Sequence, residues 1–290
     1  MLFKLQKVRS DYDGFLHLSE LSKTWRNVLD EKLKLDFSHC SHFDANMAAP
    51  LAAVLNRVND NKNAIQIVGA TSEVENILRK NRFLKKYGYG ELEDINHTTL
   101  PFLHIPNSDT QSFAGYLSRN MNGKGIPRMT AELEKAFRRS IFEIFQNCVS
   151  HSASDRGVFV CGQFYPYGGR LDLTISDVGI GIRTNVRRFF RNNNLSSIDA
   201  IKWALKEGST TKTGELPGGM GLKLLKDFIV HNNGKIQIVS RQGFYQLAKG
   251  KEVYQKLGYD FPGTTINLEI NSKDKHSYRL SNQVTPDNVF

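Results

Sequence analysis

The sequence has little cysteine and lacks the segments typical of an exported or membrane-spanning chain. Its three cysteines, Cys40, Cys148 and Cys161, are odd in number and do not have the paired spacing of a metal site. No apolar run approaches the ~18 residues that a membrane helix requires. Residues 1–15 contain neither an apolar signal core nor a small-residue cleavage site. We therefore expect reduced thiols, no membrane partner and a cytoplasmic location.

Acidic residues are too few to balance the basic ones. The chain has 39 lysines and arginines against 29 aspartates and glutamates, which gives a formal charge of +10. The densest basic cluster is "RTNVRRFFRNNN" at residues 183–194, whereas basic and acidic residues are interspersed elsewhere. The charge favours a solvated surface with a site for an anionic ligand, and a nucleic-acid partner is the second interpretation.

Residues 1–105 show the alternation of strands and helices that is typical of a parallel α/β domain. Strands are predicted at residues 32–38 and 64–69, and helices at residues 46–60 and 71–81. Short connections between alternating strands and helices favour a parallel sheet. This region has no glycine-rich phosphate loop and no carboxylate pair, so we expect an interaction or regulatory domain.

The remaining chain is predicted to contain a linker, a second domain and a polar tail. The prolines and glycines of residues 106–128 are typical of a boundary. Within residues 129–271, a long helix follows Thr130, and two strands joined by "YGG" indicate a hairpin. Further helices and strands then complete an α+β sandwich, with helices on one face of a mostly antiparallel sheet. Residues 272–290 are polar and expected to fray.

Three polar residues interrupt the apolar pattern of the long helix. In "EIFQNCVSH", Glu143, Asn147 and His151 are four residues apart and share one helix face. A carboxylate can act as a general base, and an amide oxygen suits Mg²⁺, which takes few protein ligands. The imidazole can donate to a phosphate. A polar stripe on an amphipathic helix is the alternative interpretation.

A second motif, "DVGIGI", ends the strand of residues 171–175. Asp177 lies where the strand ends, and Gly179 and Gly181 allow a backbone or ligand to approach closely. An aspartate there can accept a hydrogen bond from the exocyclic amine of adenine. Guanine presents an acceptor at that position and would leave the carboxylate unpaired. An ordinary turn is the alternative interpretation.

A third motif, "PGGMGL" at residues 217–222, precedes a helix. Its glycines free backbone N–H groups at a helix N-terminus, where phosphate binds well. The spacing matches neither the P-loop nor the dinucleotide-binding fingerprint. A P-loop ATPase and a Rossmann dehydrogenase are therefore disfavoured, and an ordinary helix start is the alternative interpretation.

Taken together and in this order, the motifs resemble the ATP-binding domain of the GHKL superfamily. That superfamily includes gyrase B, the MutL proteins, histidine kinases and the bacterial anti-sigma serine kinases. The resemblance covers residues 130–270: "EIFQNCVSH" is similar to the N box, "DVGIGI" to the first glycine box and "GGMGLKLLKDFIVHNNGKIQIVS" to the second. The segment "GTT" at residues 263–265 resembles the last box.

The resemblance implies ATP and Mg²⁺ as ligands and a role for each matching residue. Asn147 would hold Mg²⁺, Asp177 would bind the adenine amine, and Glu143 would be the general base. Gly179 and Gly181 would shape the base pocket. The remaining nucleotide contacts would come from the second glycine box, the last box, the N box and the mobile lid of residues 183–217: Gly219, Met220, Gly221, Leu222, Thr265, His151 and Lys212. In this scheme Thr265 supports Asp177 and the adenine.

Residues 1–105 resemble a STAS-like domain, the fold of anti-sigma factor antagonists. The resemblance rests on "KLDFSHCSHFDANMAAPLAAVL" and "AIQIVG". In that family a serine follows the aspartate at the helix start and accepts phosphate. Here the pair is Asp44 and Ala45, so phosphorylation is not available at that position, although Ser41 lies nearby.

The two resemblances together imply a cytoplasmic regulatory ATPase that signals to a protein partner through its lid or its first domain. Two alternatives stay open: an anti-sigma-type serine or threonine kinase, and a nucleotide-gated binding module with little catalysis. An ordinary histidine kinase is disfavoured, because no long helical hairpin carries a phosphoacceptor histidine. The sequence leaves open whether the chain forms an ATP-driven homodimer.

Overall fold

A three-stranded parallel sheet and a five-stranded antiparallel sheet organise the helices of this chain, and two short strands form a third, two-stranded sheet. A computed structural model describes residues 1–206, 208–209 and 220–280. The strands are β1 (Leu2–Lys4), β2 (Lys32–Asp36), β3 (Ala64–Val68), β4 (Thr99–Ile105), β5 (Arg128–Met129), β6 (Val158–Tyr165), β7 (Arg170–Asp177), β8 (Lys235–Ala248), β9 (Lys251–Asn271) and β10 (Ser277–Tyr278). The α-helices are α1 (Tyr12–Trp25), α2 (Ala48–Asn59), α3 (Ser72–Lys80), α4 (Thr110–Met121), α5 (Ala131–His151), α6 (Gly181–Phe190), α7 (Ser197–Ala204) and α8 (Met220–Asn232). The fold is mixed α/β. Among the described residues, no helix has the length and apolar character needed to cross a lipid bilayer.

The first half contains the predicted parallel sheet. Its strand order is β1-β2-β3, and both pairings are parallel. Leu33 and Leu35 alternate with exposed lysines along β2 and are fully buried, which explains the period-two pattern of this strand. Strand β1 and helix α1 were not predicted from the sequence. Helix α1 begins where Asp11 accepts a hydrogen bond from the Gly14 amide.

The second half contains an antiparallel sheet of order β4-β6-β7-β9-β8. The predicted hairpin is confirmed, because β6 and β7 pair from Val158 opposite Asp177 to Tyr165 opposite Arg170. Helices α4, α5, α7 and α8 contribute to a core on one face of this sheet. Thr130 is the N-cap of α5, as predicted, and accepts from the Leu133 amide at 3.4 Å.

The sheet extends beyond the predicted second domain. Strand β4, which was assigned to residues 1–105, pairs antiparallel with β6. Residues 106–128 were predicted as a linker, but they contain α4, whose Phe113 ring stacks on Phe145 of α5 with centroids 4.3 Å apart. Tyr278 of the predicted tail lies in β10, which pairs with β5. The proline and glycine pattern therefore marks turns within this half, and residues 281–290 lie outside the described residues.

Helices cover both faces of the antiparallel sheet. The face opposite α5 packs against α1 and α2, and Phe15 of α1 contacts the rings of Phe244 and Phe261. Successive residues of β6 pack into two different hydrophobic cores. Val158 and Val160 face α5, while Phe159 and Cys161 face the first half. The α+β sandwich expected for the second half therefore gains a third layer from the first half.

A polar network joins the two halves within this interface. The Asp44 carboxylate accepts from Arg170 Nη2 at 3.0 Å and from the Ser10 amide at 2.8 Å. Asn46 Nδ2 donates to Thr174 Oγ1 and to Asn267 Oδ1, both at 2.9 Å. The segment of Asp44 and Asn46 just before α2 thus faces the antiparallel sheet and is buried.

Asp172 is the least solvated carboxyl of this network, and its replacement is expected to change the pH dependence of stability. The side chain is fully buried 3.2 Å from Arg170 Nε. Burial raises the pKa of Asp172 to about 8, against the lowering effect of Arg170. The folded-state pKa of Asp172 exceeds the ordinary value of an aspartate. The contribution of protonated Asp172 to the free energy of unfolding is therefore complete below about pH 4 and is lost as the pH rises to about 8.

The Asp172→Asn variant is therefore expected to exceed the wild-type free energy of unfolding by several kcal/mol at pH 8 and to match it near pH 4, because each pH unit between the unfolded and folded pKa values corresponds to ~1.4 kcal/mol. Urea unfolding monitored by circular dichroism at several pH values would measure the difference. The exposed Asp227→Asn substitution is the control and should leave the pH profile unchanged. An Asp172→Asn difference that is constant from pH 4 to pH 8 would contradict this linkage.

Candidate active site

One cavity brings together the polar face of α5 and the aspartate at the end of β7. Its volume is about 180 Å³, and its lining includes Glu143, Asn147, His151 and Asp177. Glu143, Asn147 and His151 come from successive turns of a single helix, while Asp177 comes from the neighbouring sheet. The cavity therefore collects predicted residues from motifs that are about 30 residues apart in the sequence.

The other walls of this cavity are predominantly apolar. They come from α5, α6, α7, α8 and the sheet: Ile144, Cys148, Ile182, Val186, Ile201, Trp203, Ala204, Leu222, Ile238 and Ile266. Apolar walls with a few convergent polar groups are typical of small-molecule sites. The described part of the predicted lid, α6 and α7, forms one side of the cavity.

The Asp177 carboxyl is buried and held by backbone groups. Its side chain is 3% exposed. Oδ1 accepts from the Gly179 amide at 2.7 Å and from the Thr264 amide at 3.3 Å. Burial raises the pKa of Asp177 to about 7, while these hydrogen bonds and one with the Cys148 thiol lower it. A carboxyl that titrates near neutrality inside a cavity is typical of a functional group.

Two glycines permit this arrangement. Gly263 has a φ of +80°, and a Cβ there would lie only 2.7 Å from Asp177 Oδ1. Gly179 packs directly on Ser152 at the end of α5, where a Cβ would overlap the Ser152 backbone. The close approaches therefore explain both glycines. Gly181, which was also predicted to shape the site, begins α6 and lines the cavity.

The residue that contacts Asp177 from the last motif is Thr264, whereas Thr265 was predicted. Thr264 lines the cavity, and its hydroxyl lies 3.0 Å from Ser240 Oγ. The Thr265 hydroxyl lies 2.6 Å from Ser176 Oγ instead and is fully buried. Because successive side chains of a strand point to opposite faces, only one of the two threonines can face the cavity. The assignment to Thr265 is corrected to Thr264.

Glu143 lies where the cavity meets the first turn of α8. A Cβ on Gly221 would overlap Glu143 Oε2, and it would lie 3.2 Å from Ser140 Cα. The missing side chain of Gly221 therefore lets the start of α8 pack directly on α5 beside the carboxylate. Leu222 lines the cavity, and Met220 is the first residue of α8. Helix N-termini favour negatively charged ligands. The predicted phosphate contacts Lys212 and Gly219 lie outside the described residues.

His151 is the last residue of α5 and lines the cavity. Its carbonyl accepts a hydrogen bond from Asn185 Nδ2 at 2.7 Å, which ties α5 to α6. Asn185, Trp203 and Thr264 were not predicted as site residues. Asn185 lies within the basic cluster of residues 183–194, where no spacing or motif distinguishes a neutral amide from its neighbours.

Within the described ranges, no group of three or more histidine, cysteine, aspartate or glutamate side chains is arranged to hold a metal ion. No protein-family model matches the chain, and a search of curated proteins found no match. The assignment of a function therefore depends on the order of the motifs and on the geometry of this cavity.

Proposed function

We propose that the chain binds Mg²⁺–ATP in this cavity and hydrolyses it, as an ATPase with a GHKL-type domain. The observation that carries the proposal is the meeting of Asp177 with the polar face of α5 in one mostly apolar cavity. The same cavity reaches the first turn of α8. In this proposal, Asp177 would contact the base, Asn147 would bind the metal ion, and the first turn of α8 would contact the phosphates.

The adenine end would be formed by Asp177 and the apolar walls. A buried carboxylate selects a ligand with a donor at that position, because a ligand acceptor would leave it unpaired. Aliphatic side chains such as Ile144 and Ile266 line the same cavity and suit the faces of a flat ring. The volume of about 180 Å³ is below the ~300 Å³ of a site that encloses a whole ligand. The cavity would therefore enclose the base and leave the phosphates towards α8.

The phosphate end would be formed by Asn147 and the first turn of α8. Mg²⁺ commonly binds one or two protein oxygens together with substrate phosphates and waters. The Asn147 amide oxygen alone therefore suffices as a protein ligand, and no cluster of acids is needed. When bound, ATP supplies the phosphoanhydride, and Mg²⁺ neutralises its oxygens. Backbone N–H groups of Met220, Gly221 and Leu222 belong to the first turn of α8 and would donate to the phosphates.

Glu143 would serve as the general base for an attacking water. Its carboxylate lies beside Gly221 and therefore next to the proposed phosphate end. A base at that place can remove a proton from a water directed at the terminal phosphate. His151, on the same helix face, would donate to the nucleotide.

The first half would be a STAS-like regulatory domain in this proposal. Its α1 and α2 pack on the back of the sheet whose front forms the nucleotide cavity. Helices α6 and α7 belong to the segment that resembles the ATP lid and form one wall of the cavity. We therefore expect this wall to change conformation when the nucleotide binds. A protein partner would contact that wall or the first domain.

The test is to incubate the purified chain with γ-labelled ATP and Mg²⁺ and to follow the label. We expect free phosphate to be released slowly, with no label on the protein. Omission of Mg²⁺ is the control and should abolish release. ATP that binds but stays intact would contradict hydrolysis by the isolated chain. That result would favour a kinase or a gated binding module that acts only with its partner.

A further inference from the structure

A second cavity lies between the two halves of the chain, and the proposed nucleotide site does not use it. Its volume is about 1010 Å³, at the upper end of the ~300–1,000 Å³ that is usual for ligand pockets. One side comes from the C-terminal ends of α1 and α2. The opposite side comes from residues 153–156 and 178–180 with parts of β8 and β9.

Arginines dominate the charge of this cavity, which we name the arginine cleft. Its lining includes Arg26, Arg57, Arg156 and Arg241, and the one carboxylate in the lining is the exposed Asp155. Two more carboxylates lie beside the cleft, and each is shared between two guanidinium groups: Asp60 with Arg57 at 4.0 Å and with Arg156, and Asp260 with Arg26 at 3.8 Å and Arg183 at 3.6 Å. Five guanidinium groups thus face three carboxylates, and positive charge is in excess.

Arg241 is directed into the cleft by an irregular backbone. It lies at a bulge in the pairing of β8 with β9 and has a φ of +55°. Ala153, on the facing wall, has a φ of +48°. Left-handed conformations of residues other than glycine are costly and concentrate at functional sites, and bulges re-aim side chains there. Arg241 Nε donates to the Ile180 carbonyl at 3.0 Å.

Burial and mutual repulsion destabilise the charged form of two arginines in the cleft. Burial lowers the pKa of Arg241, and the nearby Arg183 and Arg26 lower it further, against the attraction to Asp260. Burial also lowers the pKa of Arg156, with Arg57 adding to the effect. Both guanidinium groups would therefore gain from an anion in the cleft.

We propose that the arginine cleft binds a small anion with two or more phosphate groups. The planar guanidinium fork matches the oxygens of phosphate and donates two parallel hydrogen bonds to it. The arginines form two pairs on separate aspartates with Arg241 as a fifth cation, which suits more than one phosphate group. Such a ligand would contact α1 and α2 on one side and residues 178–180, directly after Asp177, on the other.

The test is calorimetric titration of the full chain with sodium tripolyphosphate without Mg²⁺. Arg26 and Arg57 are 51% and 58% exposed, so their replacement should not impair folding. We expect Arg26→Gln and Arg57→Gln each to weaken binding about tenfold, because each removes a charge-assisted contact. The exposed Arg119→Gln on α4 is the matched control and should bind like wild type.

Further titrations separate this site from the nucleotide site and test the ligand class. Asp177→Asn should leave tripolyphosphate binding unchanged, since this ligand has no base. The proposal is overturned if tripolyphosphate fails to bind at millimolar concentration, or if its affinity does not respond to Arg26→Gln and Arg57→Gln. Equal affinity for citrate would overturn the preference for phosphate. Binding of a short oligonucleotide through the same arginines, without binding of tripolyphosphate, would overturn the small-anion assignment.

Discussion

The Asp177→Asn variant is expected to bind ATP about ten- to hundredfold more weakly than the wild-type chain, because a hydrogen bond to a charged group contributes ~1.5–3 kcal/mol. The asparagine Oδ1 can still accept from the Gly179 and Thr264 amides, so the local backbone should be retained. Its amide nitrogen is a donor, however, and cannot accept from the adenine amine. Calorimetric titration with ATP in the presence of Mg²⁺ would measure the loss.

The same carboxyl should make ATP affinity depend on pH. Burial raises the pKa of Asp177 to about 7. Oδ1 already accepts two backbone hydrogen bonds, so the proton would be carried by Oδ2, which would change from an acceptor to a donor. We expect ATP to bind about tenfold more weakly at pH 6 than at pH 8 in the wild-type chain. The affinity of Asp177→Asn should vary much less with pH over this range, because only the imidazole and phosphate groups of the site would still titrate.

Stability measurements distinguish a lost contact from a damaged fold. The folded-state pKa of Asp177 is raised above its ordinary value, so its contribution to stability falls as the pH rises from about 4 to about 7. Asp177→Asn should therefore be at least as stable as wild type at pH 8. Weaker ATP binding by a stable variant supports the assignment. Unchanged ATP affinity would remove Asp177 from the proposed site.

Helical periodicity accounts for most of the site that could be predicted from sequence. Glu143, Asn147 and His151 were placed on one helix face by spacing alone, and they line one cavity. Asp177 was predicted by its place at the end of a strand. The side chain that faces the cavity from "GTT" was not determined correctly, because the choice between Thr264 and Thr265 requires the strand register. The register is fixed by pairing with β7, which places Thr265 opposite Ser176.

The packing of the first half on the antiparallel sheet was only partly predictable from the sequence. Strand β6 is apolar at successive positions, "VFVC", which is typical of a strand buried on both faces. That pattern predicts a second layer on the sheet but does not show which segment supplies it.

The long hairpin of β8 and β9 was missed because its two-residue turn is Lys249 and Gly250, both with positive φ. Such turns usually contain asparagine or aspartate before the glycine.

The arginine cleft could not have been predicted from sequence at all. Arg26, Arg57, Arg156 and Arg241 lie in separate elements of both halves and outside the basic cluster of residues 183–194, from which only Arg183 reaches the edge of the cleft. Tertiary packing alone brings these charges together. The excess of basic residues predicts an anionic ligand, but the densest run of charge does not coincide with the cleft.

Loss of the proposed base should have the largest effect on turnover. The Glu143→Gln variant is expected to release phosphate from ATP about 10²–10⁴-fold more slowly than wild type, which is the usual contribution of a general base. Glutamine has nearly the same shape, so the close packing of α8 on α5 at Gly221 should be retained. ATP affinity should change little, because the carboxylate would act on water rather than on the nucleotide. Phosphate release under saturating ATP and calorimetric titration would measure the two quantities separately.

The matched control for Glu143→Gln is Glu134→Gln, an exposed position nearer the start of the same helix. Its carboxylate pairs with Arg138 on the protein surface, so turnover should stay at the wild-type level. Glu143→Ala, which also removes the side-chain volume, should lose turnover to the same degree if proton removal is the role of the carboxylate. Retained turnover in Glu143→Gln would assign the carboxylate to the packing of α8 against α5. A loss of both turnover and ATP binding would instead indicate that Glu143 maintains the phosphate end of the cavity.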